Sequence, residues 1–262
     1  MAVSHDTAAN AGHADQLSAL DSWLTTPRGR YVLDWERTCI SRTVQDVFGF
    51  YAVQLGLAGL PALEDSRIAS RMLVLPTAGP LALGTAWTGQ LQADYARLPL
   101  ASDSIDLLVM PHVLEFAADP HSVLREAERV LIPEGQLVIT GFNPLSSWGA
   151  MQKMLGRRWP VWPRTGEPIS LPRLKDWLKL LGLELNHGRF GCYRLPRRSA
   201  RGLQSMAFME KAGDRWWPVC GAVYMISAVK RVHGMRLIIK PEWNAPAALG
   251  ARQRVAKAHC SP

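Results

Sequence analysis

Three places in the chain set polar or flexible residues at the end of an apolar run, where chemistry could be done. The first is residues 51–59, Tyr-Ala-Val-Gln-Leu-Gly-Leu-Ala-Gly. It runs into Gly56 and Gly59, with Gln54 and Ala58 beside them. Glycine turns after a strand let backbone approach a ligand closely, although an ordinary turn uses the same residues. The second is Asp94 with Tyr95, after Leu91–Ala93. Its carboxylate could accept a hydrogen bond from a ligand or cap a turn. The third is Pro111-His112, after Ile105–Met110. An imidazole there could contact a ligand or act as a base, and could equally be a hydrogen-bonded structural histidine. A further segment, residues 141–170, concentrates Trp148, Met151, Met154, Trp159 and Trp162. These could line an apolar pocket or staple a loop over the core. Cys39, Cys192, Cys220 and Cys260 are scattered, so no metal site or disulfide framework is expected.

The elements that position these residues follow from periodicity. Leu91–Ala93, Ile105–Met110 and Gln136–Thr140 are too short for globular helices and are bounded by turn residues, so they read as buried strands. Between the last two lies a helix. Asp119 suits its N-cap, and Pro120 suits its first position, where a missing N–H costs nothing. Val123, Leu124, Ala127, Val130 and Leu131 make its apolar face, with Arg125, Glu126, Glu128 and Arg129 opposite. Pro133 and Gly135 end it. Strand, helix and strand at this spacing form a right-handed crossover in a parallel sheet. Upstream, the 38 residues from Gly56 to Asp94 leave room for a helix near 61–70, a strand over 71–75, a connection and the next strand. Residues 17–48 predict two helices, one with a Leu17, Leu20, Trp23 stripe and one with Tyr31, Trp35, Cys39, Val44 and Val47. They could cover a sheet edge or a cofactor entrance. Residues 171–181 predict another helix, ended by Gly182.

The stretch from Gln90 to Pro144 resembles the core of class I S-adenosylmethionine-dependent methyltransferases of the small-molecule, type 11 group. The residues that carry the resemblance are Asp94 with Leu98-Pro99, Ser104-Ile105-Asp106, His112-Val113-Leu114-Glu115, Asp119-Pro120, Leu124-Arg125-Glu126, Arg129-Val130-Leu131 and Gly135. The resemblance implies an α/β, Rossmann-like class I methyltransferase fold, with a mostly parallel seven-stranded sheet, helices on both faces and a final antiparallel pair. It implies S-adenosylmethionine as cofactor. On that match Gln54, Gly56, Ala58 and Gly59 meet its methionine part. Asp94 accepts from the adenine amino group, the Tyr95 N–H meets the ring, and Pro111 and His112 lie against the amino-acid end. An insertion after the fifth strand covers the substrate in this fold, which would set Trp148, Trp159 and Trp162 at the pocket mouth for a small or partly apolar acceptor. Asp106 and Glu115 read as structural acids.

The chain departs from the family pattern in three places. Gln54 stands where an acid is expected and Ala58 where the second glycine is expected. The second strand and its sequel, residues 71–84, offer no acid for the ribose hydroxyls. A charge-assisted bond of that kind contributes roughly 1.5–3 kcal/mol. Its loss corresponds to about ten- to a hundredfold in affinity.

Composition sets the remaining bounds. The 262 residues fit one α/β domain with additions. Residues 1–16 are expected to be disordered, 17–240 to form the methyltransferase-like domain and 241–262 to be a basic tail. From Lys230 onward seven basic side chains face Glu242 alone, an excess of six within a net charge of +8. Such a tail either adds weak polyanion affinity or simply stays solvated. No apolar run reaches about eighteen residues, so no membrane span is expected. The N-terminus lacks a basic region followed by an apolar one, and a cytoplasmic setting is expected. The function implied is methyl transfer to an unidentified small acceptor, with no catalytic residue nameable from sequence. The alternative is a non-catalytic methyltransferase-like scaffold that binds a partner or nucleic acid. A nicotinamide-dependent oxidoreductase would need a Gly-x-Gly-x-x-Gly turn and a ribose acid, and the sequence has neither.

Overall fold

The computed structural model describes residues 19–76, 87–155, 160–163 and 166–231. The chain divides into two compact units, Met1–Val232 and His233–Pro262, and every described residue lies in the first. The Lys240-onward tail, Trp159 and residues 77–86 therefore lie outside the described residues.

Residues 19–24 are helical and lead into α1, Pro27–Val44. Thr26 caps α1 by accepting from the Gly29 N–H, and Pro27 occupies its first turn. Then come β1 (Tyr51–Leu55), β2 (Ser70–Leu75), β3 (Gly89–Gln92), β4 (Ile105–Pro111), α2 (Val113–Phe116) and α3 (Pro120–Val130). They are followed by β5 (Leu131–Phe142), α4 (Ser147–Leu155), α5 (Leu171–Leu180), β6 (Leu183–Gly191), α6 (Ala200–Gln204), α7 (Phe208–Trp216) and β7 (Val223–Lys230). The seven strands make one sheet in the order β3-β2-β1-β4-β5-β7-β6. All neighbours are parallel except β7, which runs antiparallel to both β5 and β6. This is the expected Rossmann-like class I methyltransferase sheet. β4 is buried almost throughout, as a central strand covered on both faces must be. Among the described residues no helix is long and apolar enough to cross a membrane.

One expectation needs correction. The helix near 61–70 does not form, and residues 57–69 are a series of turns and bends. The Gln54 side chain takes the carbonyls of Gly56, Leu57 and Leu60 and the Ala62 N–H, so the start of this segment turns around it. The segment between β6 and β7 holds α6 and α7. Two of the seven basic residues counted from Lys230 belong to the folded unit rather than to the expected tail. The Lys230 ammonium is nearly buried, 2.8 Å from Oδ1 of Asp103 and 3.0 Å from Oε1 of Glu128, and it also donates to the Leu131 carbonyl. Arg231 pairs with Glu134 and Glu184. Both cations close the lower end of the sheet.

Asp106 acts as a structural acid, since its Oδ2 accepts from the N–H groups of Phe50 and Tyr51, both at 2.8 Å, and so fixes the start of β1. The loop between β3 and β4 is held by α3. Glu126 accepts from the Leu98 N–H, and Arg129 donates to the carbonyls of Leu98 and Leu100.

Candidate functional site

The strand order reverses between β1 and β4, which lie side by side with Gln54 opposite Val109. In open parallel sheets ligands bind beyond the carboxyl ends of strands at such a reversal. Both strands end there in left-handed backbone. Gly56 has φ 66° and Leu57 φ 46° after β1, and His112 has φ 54° and ψ 17° after β4. Left-handed geometry at a non-glycine residue costs on the order of 1–3 kcal/mol and persists only where surroundings enforce it.

At β1 the enforcing group is Gln54. Its fully buried amide nitrogen donates toward the carbonyls of Gly56, Leu57 and Leu60 at 2.9–3.0 Å, and its oxygen accepts from the Ala62 N–H at 2.9 Å. A carboxylate could make only the last of these contacts, so the glutamine is suited to holding this loop as turns. The Val74 carbonyl, near the end of β2, accepts from the Gly56 N–H at 2.8 Å and from the Tyr95 hydroxyl at 3.4 Å. The loops after β1 and β3 therefore meet over β2. Burial, and then the nearby Asp21 carboxylate, push the Tyr95 phenol pKa upward.

At β4 the enforcing groups are two acids. Nδ1 of His112 lies 2.8 Å from Oε2 of Glu115, and Nε2 lies 2.8 Å from Oε1 of Glu36. His112 and Glu36 are completely buried. Burial alone would lower the imidazole pKa, but Glu36 and then Glu115 outweigh it and raise it to about 10. Burial pushes the Glu115 carboxyl up, opposed by His112. Glu115 also accepts from the Phe142 N–H, and the His112 N–H donates to the Thr140 carbonyl at 3.1 Å. The His112 ring packs 4.3 Å from Phe142, which stacks on Trp162 at 5.0 Å and meets Trp23 edge-on at 5.6 Å.

The structure thus brings Gln54, Gly56 and Tyr95 into one assembly and places His112 in another. The His112 ring lies between Glu36 and Glu115 and its N–H donates to the Thr140 carbonyl, contacts that hold the end of β4 in place. Pro111 is buried beside it. Ala58 is half-buried and Gly59 exposed, and a Cβ added at Gly59 would meet only Oδ1 of Asp21, at 3.4 Å. The protein's own packing leaves room there, which fits the approach of a ligand to this loop. Asp94 is half-buried, and its Oδ1 accepts from the Ala96 N–H at 2.9 Å in a local turn. Its carboxylate still stands at the carboxyl end of β3, an acceptor that fits an amino group. The space at Gly59 and the acceptor at Asp94 fit S-adenosylmethionine, while both ring nitrogens of His112 are already taken up by Glu36 and Glu115. Among the described residues no cluster of His, Cys, Asp and Glu could hold a metal ion.

The aromatic segment is differently placed from the expected rim. Trp148 is fully buried, with Nε1 donating to the Arg194 carbonyl at 2.6 Å, and Trp162 is core against Phe142. Met154 is exposed, whereas Met151 and Leu155 line a cavity. Glu36 escaped sequence reasoning. Its signal was an acid on an apolar helix stripe, since Val32, Glu36 and Ile40 are four residues apart and all buried.

In comparisons with known proteins, residues 77–139 match the family described as a methyltransferase domain. Over 170 residues the chain is 32% identical to the uncharacterized protein YafS of Escherichia coli strain K12, covering 64% of this chain and 67% of that one. Among solved structures it is similar to a chain of the complex that contains the Trm112 methyltransferase activator of Haloferax volcanii. There the TM-score is 0.56 and identity 16%, over 83% of this chain and 98% of that one. It is similar also to a SAM-dependent methyltransferase from Archaeoglobus fulgidus, with a TM-score of 0.54 and 17% identity over 76% and 94% of the two chains. At these identities the structural likeness speaks to fold.

Proposed function

We propose, from the premise that this chain belongs to the class I methyltransferase family and to the same branch as YafS of Escherichia coli, that it catalyses methyl transfer from S-adenosylmethionine to a small acceptor. The observation that carries this reading is the pair of left-handed turns, Gly56–Leu57 and His112, at the point where the strand order reverses. Bound S-adenosylmethionine would supply an activated methyl group on a sulfonium.

The chain's own residues then have binding and orienting work to do. The Gly56–Gly59 backbone lies against the methionine part. The Asp94 carboxylate accepts from the adenine amino group, with the Tyr95 N–H beside the ring. Gln54 keeps the loop after β1 in its turn conformation. Glu36, His112 and Glu115 fix the end of β4 and dock α1 on it. Alignment of two bound reactants alone can reach effective molarities of about 10⁵–10⁸ M, so no general base is required by this scheme. We read residues 17–240 as the domain that does this and 241–262 as a basic extension with weak affinity for polyanions. The unpaired Cys39, Cys192 and Cys220 accord with a cytoplasmic setting.

Calorimetric titration of the folded protein with S-adenosylmethionine and S-adenosylhomocysteine tests the reading. Saturable binding of both is expected, weaker than in relatives that keep the acid, the second glycine and the ribose carboxylate. Absence of binding at millimolar ligand would leave a non-catalytic scaffold as the function.

A further inference from the structure

The segment between β6 and β7 carries large apolar side chains that no described residue covers. Phe208, Trp216, Trp217 and Val219 keep 68%, 69%, 61% and 62% of their surface exposed. Leu145, just after β5, keeps 67%. It is tied to the same place by Asn143, whose side-chain oxygen accepts from the Leu145 N–H at 3.0 Å and whose nitrogen donates to the Val219 carbonyl at 2.8 Å. Single exposed apolar groups are ordinary, but a grouped set marks an interaction surface.

Packing fixes which way this set points. Gly213 is the buried residue of α7, and a Cβ added there would lie 2.3 Å from the Tyr193 ring. The helix is therefore pressed onto Tyr193 by that face. The Tyr193 hydroxyl donates to the Pro218 carbonyl at 2.7 Å and so also holds the short 3₁₀ turn Pro218–Cys220, which carries Val219. Phe208, Lys211 and Arg215, at spacings of three and four, share the opposite face of the helix. Trp216 ends the helix about 12 Å along its axis from Phe208, and Trp217 follows.

The same surface is cationic. Residues 192–222 hold six basic side chains against Glu210 and Asp214, and Glu210 is half-buried, 3.5 Å from Nε of Arg194. Arg201, Lys211 and Arg215 are exposed, and among the described residues none of them has an ion-pair partner. Cations set into a stripe of aromatic rings do not suit a protein partner, because the centre of a protein interface is depleted in lysine. Leu145 and Val219 give a nucleic-acid base no ring to stack on. The mixture suits the surface of an anionic bilayer. There indole rings settle at the headgroup level, Phe, Leu and Val enter the acyl boundary, and Lys and Arg keep their charged heads on lipid phosphates.

We propose that this face docks the protein on an anionic lipid bilayer, with Phe208, Trp216, Trp217 and Val219 entering the interface and Lys211 and Arg215 on the lipid phosphates. The face lies at the carboxyl edge of the sheet, where β5 ends at Phe142 opposite the first residue of β7, Val223. Docking does not depend on the reading given under the proposed function, since it uses none of the residues assigned to the cofactor.

The test is sedimentation of the full chain with vesicles of phosphatidylcholine alone and of phosphatidylcholine mixed with phosphatidylglycerol, at one ionic strength. Binding to the anionic vesicles is expected, about tenfold tighter than to the neutral ones. In Trp216→Ala/Trp217→Ala partition into anionic vesicles should fall by about tenfold, with little change in melting temperature at such exposed positions. Lys211→Gln/Arg215→Gln should bind anionic vesicles severalfold more weakly and neutral ones as wild type does. Leu180→Ala, at an exposed apolar position on α5, should bind like wild type. Should the tryptophan variant unfold, Phe208→Ala alone should still weaken binding severalfold. The basic residues from Arg236 onward attract anionic vesicles without help from these rings, so equal binding by wild type and the folded tryptophan variant overturns the proposal. Absence of binding to anionic vesicles overturns it too, and tryptophan-dependent binding of a single-stranded oligonucleotide in that case assigns the face to nucleic acid.

Discussion

Nε2 of His112, at the end of β4, lies 2.8 Å from Oε1 of Glu36, in the middle of α1, and neither side chain has exposed surface. Glu115 closes on the other ring nitrogen at the same distance. One imidazole thus joins the N-terminal helix to the edge of the sheet where the proposed site lies. Removing Glu36 leaves Nε2 of His112 buried without its partner while Glu115 still neutralises the ring, at a cost of about 1–3 kcal/mol. Glu36→Ala should therefore lower stability by roughly 1–3 kcal/mol, read from urea denaturation. It should also loosen α1, read as faster hydrogen exchange along Pro27–Val44 than in wild type. A loss below about 1 kcal/mol, the range of an exposed pair, would show that the contact does not hold the helix.

The same pair fixes a pH dependence. The folded His112 pKa is raised, to about 10, above the ordinary 6.5. Between those values the folded state binds a proton that the unfolded state has released, so stability falls as pH rises. The contribution is complete below about pH 6.5 and lost on passing through about pH 10. The raised Glu115 carboxyl acts in the same direction, favouring the folded state at low pH. From pH 7 to 9.5 the unfolding free energy should drop by up to about 1.4 kcal/mol per pH unit. In His112→Gln that slope should flatten. A wild-type curve level across this window would contradict a charged imidazole.

Gln54 supplies a third prediction, in which the family pattern and the local geometry disagree. Restoring the family's acid by Gln54→Glu would replace a group that donates toward three carbonyls with one that only accepts. A buried group that loses its partner costs about 1–3 kcal/mol. Gln54→Glu should therefore destabilise the protein by roughly that amount at neutral pH and weaken, not strengthen, cofactor binding. Thermal denaturation and calorimetry read both effects. Tighter binding with unchanged stability would mean that the loop re-forms around a carboxylate.

The sheet was legible because its strands are short apolar runs between turn residues and because Asp119, Pro120 and the Val123 to Val130 stripe mark one crossover helix. The resemblance carried by Asp94 to Gly135 supplied the seven-stranded, mostly parallel sheet and its final antiparallel pair. What escaped was set by contacts distant in sequence. The turns at 57–69 depend on Gln54 reaching forward as far as Ala62, a contact that no periodicity reports. The burial of Lys230 depends on Asp103 and Glu128, more than one hundred residues earlier. Glu36 looked like an ordinary helix acid because its partner, His112, is 76 residues away. Trp148 and Trp162 were recognisable as large apolar groups, but sequence does not separate a pocket rim from a core, and both proved to be core.

The last prediction concerns Asp94, whose two roles separate cleanly. In the fold it does little, since Oδ1 accepts from the Ala96 N–H two residues on, a local turn bond at a half-buried position. Local bonds of that kind contribute about 0.5–1.5 kcal/mol. In the proposed site it accepts from the adenine amino group, at the carboxyl end of β3 and one residue from Tyr95, whose hydroxyl reaches the carbonyl that also holds Gly56. Asp94→Asn keeps the oxygen that accepts from Ala96 but replaces the charge and offers the amino group a poorer partner. Asp94→Ala removes both. Cofactor affinity should therefore fall in both variants, by about 1–3 kcal/mol in Asp94→Ala. Melting temperature should fall only in Asp94→Ala, and there by a few degrees. Unchanged affinity in Asp94→Ala, measured by calorimetry on folded protein, would remove Asp94 from the site and leave it as a turn residue.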